Sequence, residues 1–106
     1  MEKEPVPYSV EDKFKQQIGK RFNLWTSIIE ESGVSQETKN EIIKILSDFR
    51  DNAFDTNRWQ DVGDAFYGVI TLMLTATEHD DNKAEAKVLF HNIRDDVWAL
   101  FKEIKN

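Results

Sequence analysis

Three groups of side chains in this chain have types and spacings that chemistry can use. Asp61 and Asp64 stand three apart, which puts both carboxylates on one face of a helix. Glu78-His79-Asp80-Asp81 gathers oxygen and imidazole donors into four consecutive positions, a set that suits a divalent ion. His91, Arg94, Asp95 and Trp98 recur at helical spacing. His91 and Trp98 lie two turns apart on one line, and Arg94 falls between them, where it could cover the indole ring. A tryptophan beside an arginine and outside a core stripe has the makeup of an interface anchor.

Each group also has a plainer reading. Aspartates three apart at a helix start are ordinarily a solvated face. Acidic residues in a loop before a helix ordinarily cap it and complement its dipole. A tryptophan just off a core stripe more often packs on a neighbouring element. Other chemistries lack their parts. The chain has no cysteine, so disulfides and thiolate metal sites are excluded. Its glycines, at 19, 33, 63 and 68, are scattered singly and form no phosphate-cradling loop. A Ser-His-Asp set would draw on helical serines and two histidines, with no strained nucleophile turn. A ferritin-like di-metal site would need Glu-x-x-His on two helices, and none is present.

Two short stretches resemble motifs of known families. Asp61-Val-Gly-Asp64-Ala-Phe-Tyr resembles the Glu-x-x-Asp helix of the all-α NTP pyrophosphatases of the MazG type, with Gly63 and Asp64 at the motif's glycine and aspartate and Asp61 at its glutamate. The resemblance covers about ten residues. It implies a Mg²⁺ site, completed by Glu-x-x-Glu on the preceding helix, that activates water against a nucleotide phosphate. On that preceding helix Glu41 is followed by Lys44 where the second glutamate would fall, and Asp48 with Asp51 is the nearest acidic pair. The order His91-Asn-Ile-Arg94 resembles the phosphoryl-accepting helix of histidine phosphotransfer domains. That family follows with a small residue where this chain has Asp95, whose charge would repel an acidic receiver.

The elements that must position these groups are helices. Phe14, Ile18, Phe22, Trp25 and Ile29 recur every three or four residues and predict a helix over 10–32, capped by Ser9 and stopped by Gly33 in a left-handed conformation. Ser35 opens a second helix over 36–53, with Ile42, Ile45, Leu46, Phe49 and Ala53 as its stripe. Asn57 and Gln60 open a third over 58–78, whose core face is Trp59, Val62, Phe66, Val69, Ile70 and Met73. Asn82 and Glu85 form a capping box for a fourth over 83–104, with Ala86, Leu89, Phe90, Ile93, Val97, Leu100, Phe101 and Ile104 facing inward. Pro5 and Pro7 keep residues 1–8 as an extended arm. Short connections make successive helices antiparallel. The expected fold is all-α: an antiparallel up-down-up-down four-helix bundle over 9–106, behind a short extended N-terminal arm.

The third helix is too apolar for one quarter of a bundle, because its apolar arc spans roughly 220° where a core stripe needs about half of that. Gly68, Thr71 and Thr75 fill the remaining sliver, and with Leu72 they mark a possible helix-packing interface. Either the neighbouring helices splay to cover this face, or a second copy or partner helix docks on it.

With 106 residues the chain is one domain, large enough for one core. The net charge of −6 lacks the footprint of a nucleic-acid or anionic-lipid binder. The longest uncharged run, Ala65–Thr77, is 13 residues and falls short of the roughly 20 a membrane span needs. The Met-Glu-Lys-Glu-Pro opening is not that of a signal peptide, so a cytoplasmic location is expected. The reading that follows is a small acidic protein–protein interaction module, an adaptor or an immunity- or antitoxin-like accessory protein. It would bind itself as a dimer and a second protein through His91, Arg94 and Trp98, with no catalytic residue and no cofactor. The alternatives are the Mg²⁺-dependent pyrophosphatase using Asp61 and Asp64, and the phosphotransfer bundle.

Overall fold

A computed structural model describes residues 10–53 and 62–105. Four helices account for nearly all of them: α1 (Val10–Glu31), α2 (Gln36–Asn52), α3 (Val62–Glu78) and α4 (Lys83–Lys105), with no strand among the described residues. The arm at 1–8, the Ser9 cap and the Asn57–Gln60 start signal lie outside the described residues.

The ends of α2 and α4 show why the chain turns where it does. Ser35 takes an extended backbone, φ −65° and ψ 158°, and its Oγ accepts from the Thr38 amide at 3.2 Å, satisfying one of the orphan donors of the first turn. Asn82 caps α4 by accepting from the Glu85 amide through Oδ1. The reciprocal half of the expected capping box is not made. The Glu85 carboxylate instead accepts from the Gly33 amide at 3.1 Å, and the Asn82 amide donates to Asp80 Oδ1 at 2.7 Å. Gly33 likewise departs from expectation, because its backbone is not left-handed. A Cβ there would stand 2.9 Å from the Glu85 side chain, so the exposed glutamate would have to shift to admit one.

Each helix packs against its neighbours in sequence, and α1 closes the ring on α4. At one end the four helices meet through phenylalanines, one from each. Phe14 and Phe49 pack edge to face at 5.2 Å, Phe49 and Phe66 at 5.0 Å, and Phe66 meets Phe101 at 5.1 Å. These rings come from the start of α1, the end of α2, the start of α3 and the end of α4. At the opposite end Ser35, where α2 begins, bonds to Asp80, just past the end of α3. Gly33, just past α1, bonds to Glu85 at the start of α4. Contacts of this order run antiparallel around the ring.

Between the two ends the core is continuous. Phe14, Ile18, Trp25 and Ile29 face Ile42, Leu46 and Phe49, with Phe66, Val69 and Met73 from α3 and Leu89, Ile93, Val97, Leu100 and Ile104 from α4. Phe22, Ile45, Ile70 and Phe101, expected in the core, are only partly buried at its margin. Phe22 there lies under the Arg50 guanidinium, 4.4 Å from the ring centroid, so its outer face meets a cation rather than apolar side chains.

Candidate functional site

The third helix presents a face that its neighbours leave open. Ala65, Phe66, Val69, Met73 and Ala76 are buried, whereas Tyr67, Leu72 and Leu74 are 68%, 48% and 42% exposed. Thr71 and Thr75 are exposed between them, and Gly68 is half-buried. The Thr71 hydroxyl donates to the Tyr67 carbonyl at 3.0 Å and the Thr75 hydroxyl to the Thr71 carbonyl at 3.1 Å. Each hydroxyl is therefore engaged within its own helix, and a partner would meet mainly methyl groups. The outer face of α3 is more apolar than its threonines suggest.

A second feature lies along the seam of α3 and α4. Leu74, Thr77 and Glu78 form one wall, and Lys83, Ala86, Lys87, Phe90 and His91 the other, around an open groove of about 310 Å³. His91 is half-buried, with its ring against the edge of Phe90 at 5.6 Å. Arg94 does not cover Trp98 as its position between His91 and Trp98 suggested. Its guanidinium lies 5.8 Å from the Phe90 centroid and pairs with Asp95 at 3.0 Å. Trp98 is half-buried and packs edge to face on Phe101 at 5.4 Å, which anchors it to the margin of the core. His91, Arg94 and Trp98 thus share one side of α4, with Phe90 and Phe101 as their supports.

The described carboxylates of α2 and α3 do not form a metal-binding group. Asp61 lies outside the described residues, and Asp64 is exposed in the first turn of α3. On α2, Asp48 pairs with Lys44 at 3.2 Å and Asp51 with Arg50 at 2.9 Å. No group of three or more carboxylate or imidazole side chains among the described residues is placed to hold a metal ion.

Within Glu78-His79-Asp80-Asp81 one member has a definite role. Asp80 is 2% exposed, and its carboxylate accepts from the Ser35 amide and the Ser35 hydroxyl, each at 2.9 Å, as well as from the Asn82 amide. The Thr38 hydroxyl first, then these donors, hold the Asp80 carboxyl well below the usual carboxylate range, against the opposing effect of burial. Asp80 therefore joins the α1–α2 turn to the α3–α4 turn and is a structural carboxylate.

Another cluster has no counterpart in the sequence reading. The Trp25 indole N–H, fully buried, donates to Asp96 Oδ2 at 2.5 Å. Arg21, one turn before Trp25, donates to Asp96 Oδ1 at 2.5 Å and also to the Glu103 carboxylate. A buried tryptophan needs an acceptor, and that was the available signal. The sequence offered no way to choose Asp96 over its neighbour Asp95, because the rotation of α4 decides which of the two faces α1.

No protein-family model, curated protein or solved structure matches this chain. No described helix is long and apolar enough to cross a membrane.

Proposed function

We propose that this protein is an interaction module that pairs with a second copy of itself through the outer face of α3. The observation that carries the reading is the exposure of Tyr67, Leu72 and Leu74 on a helix with no formal charge from Ala65 to Thr77. A chain of net charge −6 repels its own copies over most of its surface. This face carries no charge of its own, so like-charge repulsion between two copies is smallest there and apolar side chains can be buried against it. Gly68, Thr71 and Thr75 keep its relief low, so that helix axes can come close.

Sedimentation equilibrium over a concentration series tests the reading. A monomer–dimer equilibrium is expected, and Thr71→Arg should abolish it while leaving the helical circular-dichroism spectrum unchanged, since Thr71 is exposed. A wild-type chain that keeps the monomer mass into the high micromolar range would sink the proposal.

A further inference from the structure

The charges of α4 are sorted by side. Toward α1 it presents Glu85, Asp96 and Glu103, which bond to Gly33, Trp25 and Arg21. Toward α3 it presents Lys83, Lys87 and Arg94, which follow the seam that Leu74 and Phe90 floor. Within an acidic molecule this seam is therefore an apolar trough with a cationic rim. Its acidic neighbours are few. Glu78 sits at one end, where the Lys83 ammonium donates to its backbone carbonyl at 2.5 Å, and Asp95 is paired with Arg94. The Lys87 ammonium has no hydrogen-bond or ion-pair partner among the described residues.

We infer that the α3–α4 seam is the docking groove for an acidic amphipathic helix of a partner protein, with apolar side chains over Leu74, Phe90 and Trp98 and carboxylates against Lys83, Lys87 and Arg94. Charge complementarity selects the occupant: a cationic rim excludes a basic helix and disfavours a neutral one. The groove runs from Lys83 to His91, just over two turns of α4, and Arg94 and Trp98 continue the same side of the helix for two turns more. Recognition of this kind uses apolar anchors at i, i+3 or i+4, and i+7, with specificity from the flanking charges. The groove shares Leu74 with the self-pairing face, but its charged rim lies on α4, so charge selectivity for a peptide is read independently of self-pairing.

Three synthetic helical peptides of about 16 residues test it, with one leucine face and with flanks of glutamate, glutamine or lysine. They are titrated by calorimetry against the wild-type chain and against the Thr71→Arg variant, so that self-association cannot mask the result. The glutamate peptide should bind tightest and shift the Trp98 indole and Leu74 amide resonances. Lys83→Glu/Lys87→Glu, at two exposed positions and with folding checked by circular dichroism, should weaken the glutamate peptide about tenfold and strengthen the lysine peptide. Equal binding of the three peptides, no binding of the glutamate peptide, or an affinity for it unchanged in the double variant would each overturn the inference.

Discussion

Asp80 shows how much one side chain can hold when its partners come from two turns. Its buried carboxylate accepts from the amide and hydroxyl of Ser35 in one turn and from the Asn82 amide in the other. Replacing it with asparagine removes the charge that makes these bonds strong and should cost about 1–3 kcal/mol at neutral pH. The pH dependence has a definite sign. The folded-state pKa is depressed, so the contribution is complete above about pH 4, the value of an unfolded aspartate, and is lost as the pH falls from there toward the folded value. Urea melts over a pH series should therefore show wild type and Asp80→Asn well separated at neutrality and converging at the acid end. Parallel stability curves would contradict this account. Asp96 makes a similar case between helices. Asp96→Ala leaves the buried Trp25 N–H without its acceptor and should cost about 1–3 kcal/mol. In a Trp25→Phe background, where no N–H remains, the same change should cost less, and a double-mutant cycle reads that difference.

The helices differ in how fully their neighbours cover them. The α4 stripe is enclosed on its α1 and α3 sides, and its cationic edge is what the α3–α4 seam leaves in solvent. Trp98 sits on that edge. Because it is half-buried on Phe101, Trp98→Ala should lower stability by only about 1–2 kcal/mol, whereas Phe66→Ala, at the centre of the four-phenylalanine cluster, should cost about 3–5 kcal/mol. Thermal melts of the two variants would rank them. A loss for Trp98→Ala as large as that for Phe66→Ala would make Trp98 a core residue rather than a surface anchor. The third helix departs most from a simple bundle element, because its buried side is sufficient for the core and its outer side is apolar as well. The exposed pairs on the other helices, such as Lys15–Glu11 and Lys44–Asp48, add little to stability beyond local helix support.

For the whole molecule the governing quantity is charge. Two copies of a −6 chain repel each other at long range, so self-pairing through α3 has to overcome a general repulsion. Salt screens that repulsion. The dimer should therefore tighten as ionic strength rises, and sedimentation at low and high salt reads the change directly. Docking of an acidic helix on the cationic seam should respond in the opposite sense. These opposed salt responses separate the two surfaces without a mutation.

The helical fold was legible in the sequence because helix periodicity and capping are local. Phe14, Ile18, Trp25 and Ile29 on α1, or Leu89, Ile93, Val97 and Leu100 on α4, can bury their side chains only if they share a face, and a helix is the element that gives them one. The Ser35 and Asn82 caps were legible for the same reason, since their partners lie within three residues. The excess apolar width of α3 could also be seen, and the structure leaves that face uncovered. What the sequence could not decide were relations between residues far apart in the chain. The rotation of α4 sets whether Asp95 or Asp96 meets Trp25. The approach of α4 to the α1–α2 turn draws Glu85 to Gly33 and makes Asp80 a bridge. Arg94 lying over Phe90 rather than Trp98 is, by contrast, a choice between two neighbours one turn away on the same helix. Helix periodicity fixes which residues share a face. The azimuth at which each face settles depends on the packing of all four helices at once, and that is why only the tertiary structure brought these groups together.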